Sequence, residues 1–138
     1  DGSLNLIEKF LPLIKKSKSG SIINIGSIYG FLAHDKSLYE GTKMITPIAY
    51  GISKGALIQL TKLLASKLSP KIRVNCISPG GIYRNQPKKF VKKYIRKTLL
   101  NRMGREEDVS NAILFLSSEL SHYITGQNLI VDGGYSLT

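Results

Sequence analysis

Hydrophobic and polar positions alternate along this chain in two different periods. Leu4, Ile7, Phe10, Leu11 and Ile14 recur at helical spacing and predict a first helix with one buried stripe. Ser19-Gly20 breaks that pattern, and Ser21-Ile22-Ile23-Asn24-Ile25 is a short β-branched run of the kind buried on both faces of a parallel sheet. From Gly30 to Thr46 no period holds, and Gly, Asp, His, Thr and Pro predict a loop over or beside a site. Thr46-Pro47 reads as an N-cap followed by proline in the first helical position, where its missing N–H is not needed. Ala56, Leu57, Leu60, Leu63, Leu64 and Leu68 continue the apolar face of that second helix until Ser69-Pro70 ends it.

A second strand, Ile72 to Ile77, closes at Ser78-Pro79-Gly80-Gly81. After Gln86-Pro87, the residues Phe90, Val91, Tyr94, Ile95, Leu99 and Leu100 fall at helical spacing among many lysines. Glu106 to Leu116, with Val109, Ala112, Ile113 and Leu116 on one stripe, predicts another helix, and Asn128 to Val131 a last strand before Asp132-Gly133-Gly134. Strands alternating with helices predict right-handed crossovers and an α/β fold, a parallel sheet with helices on both faces. No internal repeat or linker divides the chain.

The 138 residues, 42% of them hydrophobic, suit one domain or part of one. No apolar stretch is long enough to span a bilayer and the first residues resemble no secretory signal, so a cytoplasmic location is the expectation. Cys76 is the only cysteine, and the isolated His34 and His122 make no ligand set, so no metal site is expected. The formal charge of +11 sharpens the picture only where it is concentrated. Lys88, Lys89, Lys92, Lys93, Arg96 and Lys97 crowd one short stretch, which reads as the wet side of an amphipathic helix and not as a nucleic-acid interface. The alternative is a surface for an anionic partner or substrate.

Candidate chemistry lies at the start of the second helix. Tyr50 and Lys54 are four residues apart, so their side chains leave one face one turn from each other. An ammonium beside a phenol favours the ionised phenol, which suits proton exchange with an alcohol or an oxyanion. Ser27 follows a buried strand, at the carboxyl edge of an open α/β sheet where ligands bind, and its hydroxyl can bond the same reacting oxygen. Tyr39-Glu-Gly-Thr-Lys43 repeats the spacing, but Gly41 and its aperiodic surroundings supply no helix to align the pair. The remaining tyrosines Tyr29, Tyr83, Tyr94, Tyr123 and Tyr135 read as packing or interface residues, and Asn24, Asn75 and Asp132 as partners of backbone groups.

Four segments in order, Gly20-Ser-Ile-Ile-Asn-Ile-Gly-Ser27, Tyr50-Gly-Ile-Ser-Lys54-Gly-Ala, Ile72-Arg-Val-Asn-Cys-Ile-Ser-Pro79-Gly80 and Ile124-Thr-Gly-Gln-Asn-Leu-Ile-Val-Asp-Gly-Gly134, resemble the signatures of short-chain dehydrogenase/reductases. The resemblance covers nearly the whole chain. It implies that residues 1–138 are the C-terminal half of a Rossmann-like doubly wound parallel sheet, and that the whole protein moves hydride between NAD or NADP and a secondary alcohol or ketone. It implies that Ser27 orients the carbonyl, that Tyr50 is the acid/base, that Lys54 also binds the nicotinamide ribose, and that Pro79, Gly80 and Ile82 line the nicotinamide side. It further implies a homodimer or homotetramer packed through the first two helices.

Three departures stand out. No strand with a Gly-rich phosphate turn occurs, so the first half of the dinucleotide fold has no match. The family's further catalytic asparagine has none either, because its place falls just before Asp1 and Asn5 lies too far along. Arg84 stands where a threonine often follows Pro-Gly. The interval from Ser27 to Tyr50 is also about ten residues longer than the family's usual spacing, an insertion where substrate enters. With its Tyr39-Glu-Gly-Thr segment it resembles a bacterial branch associated with flagellin modification and surface-sugar biosynthesis, which points to a small-molecule substrate such as an anionic sugar derivative. The rival reading is a non-catalytic fragment or binding module that uses its basic helix. His34, inside the insertion, is a further candidate for contact with substrate.

Overall fold

The computed structural model describes residues 2–138. Its regular elements are α1 (Gly2–Ile14), β1 (Gly20–Ile25), α2 (Ile48–Leu68), β2 (Ile72–Pro79), α3 (Lys88–Lys97), α4 (Glu106–Ser117) and β3 (Asn128–Val131). The strands form one sheet in the order β1-β2-β3. Both pairings are parallel, Gly20 opposite Ile72 through Ile25 opposite Ile77, and Cys76 opposite Asn128 through Pro79 opposite Val131.

The pleat decides which helix each strand residue meets. Ile22, Ile72 and Val74 point to one face and pack with Ile7 of α1 and with Leu64, Ala65 and Leu68 of α2. Each such fully buried Ile or Val supplies roughly 1.5–3 kcal/mol of transfer free energy. Ser21 and Arg73 point to the other face, where α4 lies. The Ser21 hydroxyl donates to the Leu116 carbonyl at 3.1 Å, and the Arg73 guanidinium donates to the carbonyls of Leu116 and Ser118 at 2.9 and 3.2 Å. Arg73 thereby satisfies carbonyls that the end of a helix leaves without partners and sits favourably against its negative pole. The expected α/β architecture, with helices on both faces of a parallel sheet, is present.

Several local expectations need correction. Phe10 and Leu63 do not belong to the buried stripes, being 51% and 61% exposed. In α2 the core side consists of Thr61, Leu64, Ala65 and Leu68, while Ile48, Ile52 and Leu63 project outward together, so this helix is apolar on two sides. Thr46 does not cap α2: Pro47 occupies the cap position without a side-chain bond, because the Thr46 hydroxyl donates instead to Tyr39. Leu99 and Leu100 lie beyond α3, which stops at Thr98, whose hydroxyl bonds back to the Tyr94 carbonyl at 3.0 Å. The Asn24 side chain finds a side chain and not backbone, donating to the Thr61 hydroxyl at 2.9 Å and tying β1 to α2. Asn75 and Asp132 do serve backbone groups, at Ile124 and Gln127 and at Gly134 and Ser136.

A second apolar cluster sits beyond the strand ends. Ile28, Leu38, Phe90, Tyr94, Met103 and Tyr135 join the inner side of α3 to the segment after β1. Ile28, Phe90 and Tyr94 of this cluster line the candidate site.

Candidate active site

Ser27 stands just past β1, buried and in extended backbone, and caps a single 3-10 turn at Ile28–Gly30 by accepting from the Tyr29 amide at 3.2 Å. That turn lies directly on α2. A Cβ on Gly30 would come within 2.9 Å of the Lys54 backbone, and one on Gly55 within 3.0 Å of the Gly30 carbonyl. Bare glycines at these two positions let the backbones touch, which fixes how far the Ser27 segment stands from the first turns of α2.

Those first turns carry Tyr50 and Lys54. The Lys54 ammonium is 5.7 Å from the Tyr50 ring centroid and donates to the Ile25 carbonyl at 2.8 Å, so it is seated at the carboxyl end of β1. Ser27 and Tyr50 line one hollow of about 260 Å³ together with Tyr29, Tyr39, Thr46, Gly80, Phe90 and Tyr94. Among the described residues the Tyr50 hydroxyl has no hydrogen-bond partner, so its proton is available to a ligand. Gly80 of the proposed nicotinamide side belongs to this hollow. Pro79 is held in the sheet opposite Val131, and Ile82 pairs with Gly104 outside the hollow. His34 does not line it either, packing edge-on against the Tyr29 ring at 4.3 Å.

The insertion forms the opposite wall. The Tyr39 ring lies tilted against Phe90 of α3 at 5.6 Å, and its hydroxyl accepts from Thr46 at 2.7 Å and lies 2.9 Å from the Tyr29 hydroxyl. Burial, followed by the bond to Tyr39, pushes the Tyr29 phenol well above its ordinary range, so it stays protonated. Burial likewise pushes Tyr94 up to about 12, against the lowering effect of the Gly81 amide that donates to its oxygen. Lys93 holds the insertion by donating to the Ser37 and Glu40 carbonyls, and Lys97 pairs with Asp35. The charge run of α3 is therefore divided. Lys93 and Lys97 clamp the insertion, whereas Lys88, Lys89, Lys92 and Arg96 have no ion-pair partner among the described residues and keep the solvated role expected for the whole run.

Sequence reasoning did not single out Tyr29, Tyr39, Thr46, Phe90 and Tyr94 as neighbours of Ser27 and Tyr50. The available signal was the aromatic residue at every turn of the inner side of α3 and in the insertion. Only the fold shows that these face the same hollow.

A parallel α/β sheet with a serine past one strand and a tyrosine-lysine pair on the following helix defines a dinucleotide-fold oxidoreductase architecture. The chain belongs to the short-chain dehydrogenase/reductase family: the family model described as enoyl-(acyl carrier protein) reductase matches residues 1–136. It is 37% identical over 131 residues to post-translational flagellin modification protein A of Campylobacter coli, covering 94% of this chain and 51% of that protein. Among solved structures it resembles a short chain dehydrogenase from Leptospira borgpetersenii with bound NAD+, at 43% identity and a TM-score of 0.86, covering 98% of this chain and 52% of that one. It also resembles a gluconate 5-dehydrogenase from Burkholderia cenocepacia in complex with NADP and tartrate, at 26% identity and a TM-score of 0.85, covering 99% of this chain and 52% of that one. The chain thus spans about half the length of the curated relatives it matches.

Proposed function

We propose that this chain is the carboxyl-terminal half of a nicotinamide-dependent oxidoreductase that interconverts a secondary alcohol and a ketone, with Ser27, Tyr50 and Lys54 as its chemical residues. The observation that carries this reading is that Ser27 and Tyr50 line one hollow at the carboxyl end of parallel strands while Lys54 anchors the same strand end. Tyr50 gives its proton to the developing alkoxide, or takes one from the alcohol, and the Ser27 hydroxyl donates to the same oxygen.

The residues fit a nicotinamide nucleotide. An ammonium has three protons, and Lys54 spends one on the Ile25 carbonyl, which leaves donors for ribose hydroxyls. Gly80, close to Asp132 and Tyr94, lines the same hollow and offers backbone without a side chain in the way. When bound, the nicotinamide supplies or accepts the hydride. Similar proteins carry NAD+ in one case and NADP in another, and either suits Lys54.

The other half of the sheet has a place to go. The outer edge of β1 has no strand partner among the described residues, and along it runs a hollow of about 460 Å³ lined by Leu6, Phe10, Ile23, Ile25, Lys54 and Leu57. An open edge beside exposed apolar side chains is what a further strand and helix would cover. The outward stripe Ile48, Ile52 and Leu63 of α2 supports a homodimer or homotetramer of the whole cytoplasmic enzyme, because a helix apolar on two sides needs a second neighbour.

The test is a titration of the whole protein with reduced nicotinamide nucleotide, read by its fluorescence, followed by turnover of ketones. Saturable binding and ketone-dependent oxidation are expected, and absence of nucleotide binding by the whole protein would sink the reading. Sedimentation of wild type and Ile52→Glu checks assembly: wild type sediments as a dimer or larger, and the variant shifts toward monomer.

A further inference from the structure

The hollow beside Ser27 and Tyr50 has a hydrogen-bonding surplus. Thr46, Tyr39 and Tyr29 form a chain of hydroxyls with two hydrogen bonds between them. Each hydroxyl owns one proton and each bond uses one, so one proton of the chain is left over whichever way the bonds point. With Thr46 donating to Tyr39, the spare proton sits on Tyr29 or on Tyr39, and both line the hollow. Tyr94 adds to the imbalance, since its oxygen accepts from the Gly81 amide while its own proton has no partner among the described residues. Among the described residues no carboxylate and no cation lines this hollow. A carboxylate ligand there would lose its hydration without a counter-charge, and a plain hydrocarbon would leave the phenols unpaired.

We propose that Tyr29 and Tyr39 are specificity-determining residues, and that their leftover phenol proton takes a second oxygen of a compact, neutral, polyhydroxylated alcohol or ketone whose reacting oxygen lies at Ser27 and Tyr50. The inference rests on the oxidoreductase reading for the reacting oxygen, but the second-oxygen subsite stands on its own geometry. The hollow measures about 260 Å³ and the nicotinamide takes its Gly80 side, which leaves the tyrosine side for a short polyol or hydroxyketone. The stacked rings of Phe90 and Tyr94, 5.9 Å apart, offer apolar faces to its C–H groups. Clamping by Lys93 and Lys97 keeps the Tyr39 wall in place, so the donor is positioned before substrate arrives. A site built to bond a substrate hydroxyl discriminates strongly against an analogue that lacks it.

Hydroxyacetone and butanone differ in having a hydroxyl or a methyl at the same position, and their kcat/KM values in the whole enzyme read the subsite directly. Wild type is expected to favour hydroxyacetone by about tenfold or more. The double variant Tyr29→Phe/Tyr39→Phe keeps both rings, and it should erase that preference by lowering kcat/KM for hydroxyacetone far more than for butanone. Each single phenylalanine variant leaves one phenol at the wall and should fall between. Thr46→Val leaves the tyrosine pair and its spare proton intact, so the preference should persist. A double variant that slows both ketones equally, or a wild type without preference, overturns the proposal. Saturation-transfer NMR with glycerol and propanol separates it from the oxidoreductase reading. A glycerol signal that vanishes only in the double variant, in a protein that turns over neither ketone, upholds the subsite and removes hydride transfer; a glycerol signal of the same strength in the double variant rejects the subsite.

Discussion

Tyr39 to Lys43 and Tyr50 to Lys54 have the same spacing and opposite structures. In the second, five helical residues put the ammonium 5.7 Å from the phenol ring and at the end of β1. In the first, the chain turns at Gly41 with φ 74°, and the phenol is drawn to Thr46 and Tyr29. A motif of this kind is a statement about a helix, and without the helix the same letters describe two unrelated side chains. Yet both tyrosines line the same hollow, one with a free hydroxyl and one tied into a hydroxyl chain. On the proposed reading the segments divide the labour of one site between proton exchange and recognition.

The sharpest way to break this comparison is to exchange the phenols. In the whole enzyme Tyr50→Phe should lower turnover by about two to four orders of magnitude with little change in nucleotide affinity, while Tyr39→Phe alone should stay within about threefold. Steady-state kinetics on both variants decide it, and the reverse order would assign the chemistry to the wrong segment. The lysines give the next largest contrast: Lys54→Ala should weaken nucleotide binding by about tenfold in a fluorescence titration, and Lys43→Ala should not change it.

Acid should then separate the two segments physically. Lys97, and next Ser37, hold the Asp35 carboxyl below its ordinary value. A carboxyl lowered in the folded state adds stability that is present above its unfolded value, near pH 4, and is lost as pH falls through the lowered one. Proteolysis followed by mass spectrometry should find cleavage in residues 31–46 rising as pH drops below about 4, before α2 opens. Asp35→Asn should show that cleavage already at neutral pH and should flatten the pH dependence. The smallest effect belongs to α3. Reversing Lys88 and Lys92 together should leave KM unchanged at low and high salt, since neither is paired to the insertion, whereas Lys93→Glu should loosen residues 31–46 in the same proteolysis assay.

Much of this protein is written in local patterns. β-branched and apolar runs marked β1, β2 and β3 to within a few residues, but the burial on both faces that such runs predict holds for β2 alone, since Ile25 of β1 and Ile130 of β3 are exposed. Proline marks both limits of α2 and the start of α3 for steric reasons that are equally local, although Pro12 lies inside α1. Tyr50 and Lys54 were legible because a helix converts spacing into proximity, and Ser27 because a strand end is a fixed address in an open sheet. Tertiary structure decided what spacing cannot encode. Phe10 and Leu63 fit a buried stripe by period, but which arc of a helix meets the sheet depends on where its neighbours stand. Thr46 looks like a cap in sequence, and it was claimed instead by a phenol seven residues away that only the folded insertion brings near. Lys93 and Lys97 are indistinguishable from Lys88 and Lys92 in the charge run, and the insertion packed on one side of α3 alone makes clamps of the first two. Hydrogen bonds and ion pairs between side chains act over a few ångströms, so their partners are fixed by the packing of distant segments, whereas periodicity and backbone sterics act on each segment by itself.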